Sequence, residues 1–328
     1  MGLLGLTLIG TASVFGLYRY IEHWAETPLP GDATTSLILA PGGTLGDVTR
    51  ALNASGRTTD ARLMALLARF DDAARRIQAG EYAIEPGATP RSMLNKLVAG
   101  DVVLHEFRIR EGETVAQMLA RLRQVPELTH TLSATSPRTL HAELGLQAAF
   151  AEGAFFPDTY FYTAGDRDRD LLLRAHEAMQ AHVADAWARR LSDGVLGSPD
   201  ELLILASIVE KETGRAEDRG QIAQVFHKRL RDNMLLQTDP TVIYAAGADF
   251  DGDLTREHLR LDSPFNTYRY KGLPPTPIAM PSLASLAAAA SPDNGDYVYF
   301  VARGDGTTQF SRTLAEHNAA VRKYQLQR

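Results

Sequence analysis

The side chains best placed for proton chemistry lie at the end of one apolar run, LLILASIVEKETG at 202–214. Positions 202–209 are apolar around almost the whole circumference, which predicts a buried helix. Glu210 emerges at the end of that run. Ser207, Ala206 and Leu203 lie three, four and seven residues before it and share its face. A carboxyl among small and apolar neighbours is poorly solvated, and poor solvation favours the protonated form. A general acid needs that form near neutral pH. The competing reading is a partly buried glutamate paired with Arg215 or Arg219. Glu212 projects roughly 200° away on a regular helix, so Glu210 and Glu212 do not make an acid pair.

The elements that must hold this residue are legible around it. Ser198-Pro199-Asp200-Glu201 supplies an N-cap, a first-position proline and a capping-box glutamate, so the helix starts at Pro199. Thr213-Gly214 ends it, and a second helix is predicted from about Ala216 to Arg231. Leu172, Ala175, Met179, Val183 and Trp187 form one broad stripe, predicting a helix over Asp168–Leu191. Before it, AEGAFFPDTYFYTAG at 151–165 concentrates aromatics around Gly153 and Pro157. After it come loops over Asp262–Pro281, a helix over Leu283–Ala290, a strand over Tyr297–Val301, a hairpin return at Gln309-Phe310-Ser311 and a final helix to Leu326. Residues 125–328 therefore read as mostly α with a small β element.

The N-terminal part is built differently. A-P-G-G-T at 40–44, E-P-G-A-T at 85–89 and R-E-G-E-T at 110–114 form a short internal repeat. Each copy follows a strand-like run and precedes an amphipathic helical pattern, so each reads as strand, glycine turn, threonine N-cap and helix. Another helix is predicted over Asp60–Phe70, with a strand opening at Gly80. Residues 37–124 thus form small α+β modules. They are either ordinary β–α units or LysM-like glycan-binding folds, and the repeat alone leaves both open.

Composition narrows the function classes. The chain has 328 residues, 23% charged and 45% hydrophobic, enough to bury a sizeable core. Net charge is −6, which argues against a nucleic-acid partner. There is no cysteine, so thiolate catalysis, disulfides and cysteine-ligated zinc are excluded. No metal or cofactor is expected, which agrees with nine scattered histidines and no HExxH pattern. Residues 2–18 carry no charge, and Tyr18, Tyr20 and Trp24 close the run, residue types that favour a membrane interface. As a helix this run is roughly 25 Å long against a hydrocarbon core of roughly 30 Å. It is expected to be a membrane anchor within 1–24, followed by a linker at 25–36. No basic residue precedes it, so charge does not set its orientation.

Five segments taken together, EGAFFPDTY, LASIVEKETG, QVFHKRL, LLQTDPTVIYA and PFNTYRYKGLPPTPIAMP, resemble the endolytic murein transglycosylase family, also called YceG-like. The likeness runs through nearly the whole chain, from anchor through the LysM-like region to the catalytic domain. It implies a single-pass inner-membrane protein with a periplasmic catalytic domain that cuts nascent peptidoglycan strands and terminates their elongation. It also implies association with penicillin-binding peptidoglycan synthases. The first Glu of the family's E-K-E-T motif falls on Glu210. That residue would protonate the bond between N-acetylmuramic acid and N-acetylglucosamine, then deprotonate the muramyl C6 hydroxyl as it closes a 1,6-anhydro ring. Gln237, Thr238 and Asp239 are expected to bind sugar hydroxyls or amides, with Asp239 equally able to cap the helix through Val242 and Tyr244. Tyr244, Asn266 and Tyr268 are expected at the saccharide groove, and Glu152 and Asp158 are expected to order it. Asp218 is the match to an acidic residue that follows the family's catalytic helix, since Thr213-Gly214 separates Glu217 from Glu210. Two other readings stand beside this one. A muramidase would use Asp218 or Asp239 as a second carboxylate, and a non-enzymatic scaffold would bind the wall without cutting it.

Overall fold

The computed structural model describes residues 2–146, 148–192, 194–247 and 250–326, with the side chains of 2–12 and 14 outside that description. It is a mixed α+β chain, mostly helical, with three two-stranded sheets among the described residues. The chain divides into two compact units. The first comprises 1–106, 126–129 and 161–167, and the second comprises 107–125, 130–160 and 168–328.

In the first unit, helix α1 (Gly2–Ala25) runs through the predicted apolar segment and beyond it. Strand β1 (Thr35–Leu39) pairs antiparallel with β2 (Gly80–Ile84), Thr35 facing Ile84 and Leu39 facing Gly80. Helices α2 (Leu45–Ala54), α3 (Ala61–Phe70) and α4 (Pro90–Ala99) complete the unit. Thr44 and Thr89 sit at the N-caps of α2 and α4 in capping boxes with Asp47 and Ser92, and Asp60 caps α3. The caps start the helices that fill one core of Leu37, Val48, Leu52, Leu67, Tyr82 and Met93.

The last turns of α1 belong to that core. Ile21 and Ala25 are fully buried, and Arg91 on α4 bridges Glu22 on α1 and Glu26 just after it to Asp71. Leu29 is buried too, and its N–H donates to Ala88 O at 2.8 Å. The expected linker is therefore packed backbone for part of its length. Among the described residues no helix is long and apolar enough to cross a membrane. Most of the side chains of the expected anchor at 2–18 lie outside the described residues.

Strands β3 (His105–Arg108) and β4 (Thr159–Tyr162) pair with each other, and along them the chain passes between units. The second unit then carries α5 (Val115–Leu122), α6 (Pro137–Leu144), α7 (Asp168–Ala188), α8 (Pro199–Glu212), α9 (Ala216–Arg231), α10 (Asp239–Ala246), α11 (Leu283–Ala290), β5 (Tyr299–Ala302), β6 (Thr308–Ser311) and α12 (Leu314–Tyr324). The third repeat copy lies in this unit, with Thr114 capping α5.

Helix α8 is the axis of the core. Every residue from Leu202 to Val209 is buried, against Phe150, Ile222, Phe226, Ile278 and Leu286 among others. Each large aliphatic side chain there contributes roughly 1.5–3 kcal/mol by leaving water. Ser198 caps the helix by accepting from Glu201 N–H, as expected. Glu201 does not close the reciprocal box: it reaches one residue further back, to the Gly197 N–H at 2.6 Å. The Asp262–Pro281 loop locks onto the same core. Ile278 N–H donates to the buried Ser207 hydroxyl, and Met280 exchanges backbone bonds with Gly112 and Glu113. Gly153 is required beneath that loop, because its φ is 72° and an added Cβ would stand 2.5 Å from Pro277 Cβ.

Candidate active site

Two glutamates end α8, and the fold gives them opposite surroundings. Glu210 faces the N-terminus of α11. Its Oε2 accepts from the Ser282 N–H at 3.0 Å, the Ser282 hydroxyl at 2.5 Å and the Ser285 hydroxyl at 2.7 Å. Ser282 is the N-cap of α11, so Glu210 satisfies donors that the helix start leaves open. Gly112 packs against the Glu210 Cγ at 3.9 Å from where its Cβ would be, and the neighbouring Lys211 Nζ donates to Gly112 O. Neither Arg215 nor Arg219 pairs with Glu210; Arg215 instead approaches Glu217 and Asp218. Glu210 thus ties together α8, α11 and the turn at 110–114.

Glu212, on the other face, opens onto a cavity of about 410 Å³. Gln237, Asp239 and Tyr268 line it from the LQTDPT and NTY segments. Arg229, Tyr299 and His317 line it from α9, β5 and α12. The Thr238 hydroxyl donates to Glu212 Oε1. Glu212 keeps part of its surface toward the cavity, yet its carboxyl lies deep enough that burial pushes it up to about 7. The nearby Asp239 adds to that rise, while the Thr238 hydrogen bond and Arg229 oppose it. The position works in the same direction, since a carboxylate in the last turn meets the negative end of the helix dipole.

The surrounding groups are held firmly. Tyr268 OH donates to Asp239 Oδ1 at 2.5 Å, so the exposed Asp239 is oriented from across the cavity. Asp239 is the first residue of α10 and Thr238 occupies the cap position, so Asp239 does not cap that helix. Gln237 adopts φ 49°, a strained backbone for a residue with a side chain, fixed by its N–H bond to Thr267 O. Arg229 donates to Val298 O and Leu236 O and stacks over Tyr299 at 5.3 Å. Burial and Arg229 both lower the His317 pKa, which keeps its ring neutral near pH 7. That ring stacks on Tyr299 at 5.1 Å.

The remaining expected site residues fall elsewhere. Glu152 is 2% exposed and accepts from the Val115 N–H at 2.9 Å and Tyr244 OH at 3.0 Å, at a second cavity. Burial raises its carboxyl to about 7, against those hydrogen bonds. Asn266 is fully buried; its Nδ2 donates to Leu259 O and Leu261 O, and its Oδ1 accepts from Tyr268 N–H. It therefore holds the loop that presents Tyr268 and does not line the cavity itself. Asp158 accepts from the Thr159 N–H beside β4, and Asp218 accepts from the Thr308 hydroxyl on β6. Neither lines the Glu212 cavity. Among the described residues no group of three or more His, Cys, Asp or Glu could hold a metal ion.

Glu212, Arg229, Tyr299, His317 and Asn318 also line the cavity, with Leu236, Phe300 and Leu314, and none of these is among the site residues expected from the sequence. For Glu212 a signal was present. The 200° separation used against an acid pair also says that one of the two carboxyls faces away from the α11 side, toward whatever the LQTDPT loop builds. No comparable pattern marked His317 or Tyr299.

The YceG-like family model matches residues 37–323. An endolytic murein transglycosylase of Bacillus subtilis (strain 168) is 32% identical over 264 residues, covering 75% of this chain and 73% of that protein. Its counterpart of the same description in Streptococcus pneumoniae (strain D39) is 26% identical over 97% of this chain; the chain spans 63% of that relative's length. A crystal structure of a yceG-like protein from Listeria monocytogenes aligns with a TM-score of 0.55 at 26% identity, over 87% of this chain and 98% of that one.

Proposed function

The chain belongs to the YceG-like family, and from that premise we propose that it is an endolytic murein transglycosylase whose general acid is Glu212. The observation that carries this reading is a carboxyl raised to about 7 at the wall of a polar cavity, beside Gln237, Thr238, Asp239 and Tyr268. Glu210, the first expectation, has one oxygen engaged by three donors of α11 and lines no part of that cavity. The protonated Glu212 gives its proton to the glycosidic oxygen as the muramyl C1–O bond breaks. The C6 hydroxyl oxygen then bonds to C1, and the Glu212 carboxylate takes the hydroxyl proton. The atoms balance without water, and the acid is restored. Asp239, oriented by Tyr268, faces the positive charge that develops at C1.

A second reading rests on the same cavity. Asp239 gives it a second carboxylate, which a muramidase would place on a water molecule or on C1. Mass spectrometry of cleaved strands separates the readings. Anhydro ends are expected; ends heavier by one water would establish hydrolysis instead, and no new ends would leave only a wall-binding scaffold.

We further propose that residues 2–18 hold the protein at the membrane, with the cutting unit beside emerging strands and their penicillin-binding synthases, so that cleavage terminates elongation. The continuous helix from Gly2 and the exposed Phe15, Leu17, Tyr18 and Tyr20 support this. Fractionation of cells expressing the full chain and a chain lacking 2–18 tests it: the first is expected with membranes and the second without.

A further inference from the structure

Helix α10 connects the Glu212 cavity to another. Asp239 begins the helix at the first cavity, and Tyr244, roughly 7–8 Å further along the axis, lines a cavity of about 550 Å³. Its walls are largely apolar, with Phe150 and Phe265 prominent, and Tyr244 and Phe265 rings meet at 4.9 Å. Ser136, His141 and Thr276 add polar atoms to the lining, and a carboxyl and a guanidinium mark it further. Glu152 is buried in its wall beneath Tyr244. Arg138, from the first turn of α6, stands exposed at the rim without an ion pair or hydrogen bond among the described residues. An apolar cavity of this size with a few polar groups has the character of a ligand site, and nothing in the acid–base chemistry at Glu212 uses it.

Resting on the reading of the chain as a murein-cutting enzyme, we propose that this cavity receives the peptide stem of the muramyl residue, with Arg138 pairing a stem carboxylate. The lining selects this occupant. A pyranose carries hydroxyls around its whole rim and would leave most of them unmatched by these walls. A short peptide of alanyl and acidic residues offers methyl groups to Phe150 and Phe265 and a free carboxylate to Arg138. The separation along α10 suits a branch leaving the sugar bound at Glu212. Peptide recognition here would give the enzyme a preference for strands that still carry stems.

The test uses the full chain and uncross-linked glycan strands, either intact or stripped of peptide by an amidase. Intact strands are expected to be cut about tenfold more efficiently in kcat/KM, chiefly through KM, which is the effect of one partly exposed charged contact. Arg138→Glu is expected to abolish the preference and Arg138→Lys to keep part of it. Because Arg138 is exposed and bonds to nothing described, these variants should fold, and circular dichroism checks that they do. Equal cutting of both substrates by the unaltered chain, or an undiminished preference in Arg138→Glu, overturns the proposal while leaving the transglycosylase reading intact. If neither substrate is cut, the transglycosylase reading fails and this inference with it.

Discussion

Glu210 and Glu212 leave the same helix two residues apart, and one turns to structure while the other turns to a cavity. Three donors at the start of α11 converge on a single oxygen of Glu210, whereas Glu212 receives one hydroxyl and otherwise faces burial, a neighbouring carboxylate and the end of its own helix. A carboxyl that accepts from an open helix start has a structural task. A carboxyl that desolvation keeps protonated near neutral pH is ready to give a proton away. The difference teaches that proximity in sequence to an apolar run does not assign catalytic character; the partner of each helix face does.

The comparison is most easily broken by activity. Glu212→Gln is expected to lower strand cleavage by about 10³-fold, within the usual range for a general acid, with unchanged circular dichroism. Glu210→Gln is expected to stay within about tenfold of the parent per folded molecule. The reverse ranking, read from new strand ends by mass spectrometry, would return the acid role to Glu210.

Stability should show the opposite order. Glu210→Ala removes the acceptor for three donors and is expected to cost about 3 kcal/mol, seen by calorimetry as a lower Tm. Glu212→Gln should change Tm far less, because an amide can still accept from Thr238.

A titration sharpens the contrast. A general acid must be protonated, so kcat/KM is expected to fall as pH rises through about 7, the value to which burial raises Glu212. The limb should persist in Glu210→Gln. Linkage carries the same sign. A carboxyl raised in the folded state adds stability that is full below the ordinary value near 4.5 and is lost as pH rises through about 7. Glu152, also raised to about 7, contributes in that window, so Glu212→Gln should flatten the stability profile only in part.

The smallest effect concerns orientation. Tyr268→Phe frees Asp239 from its 2.5 Å bond and is expected to slow kcat about two- to tenfold, the worth of one hydrogen bond. A loss as large as that from Glu212→Gln would give the Tyr268–Asp239 pair a direct chemical role and favour the two-carboxylate reading.

Much of the fold was legible because its causes are local. Ser198 and Pro199 start α8, Thr89 and Thr114 start α4 and α5, and the predicted Leu283–Ala290 and Ala216–Arg231 helices match α11 and α9 end to end. Caps and apolar periodicity act within a few residues, so a sequence states them directly. Boundaries governed by distant packing were less legible. Composition places Ala25 at the start of a linker, yet it is buried in the first unit's core through contacts with segments far along the chain.

The site divides in the same way. By itself the sequence determined a buried helix ending in two carboxyls, a polar QTD turn, an NTY loop, and no thiol chemistry. It also determined the family resemblance, since ordered motifs are a property of the chain alone. Only the tertiary structure decided which carboxyl meets which surroundings. Ser282 and Ser285 lie more than seventy residues beyond Glu210, and Thr238 and Asp239 reach Glu212 from a separate loop. A side chain's proton affinity is set by the solvent, charges and donors around it, and those neighbours come from segments that only the folded chain brings together.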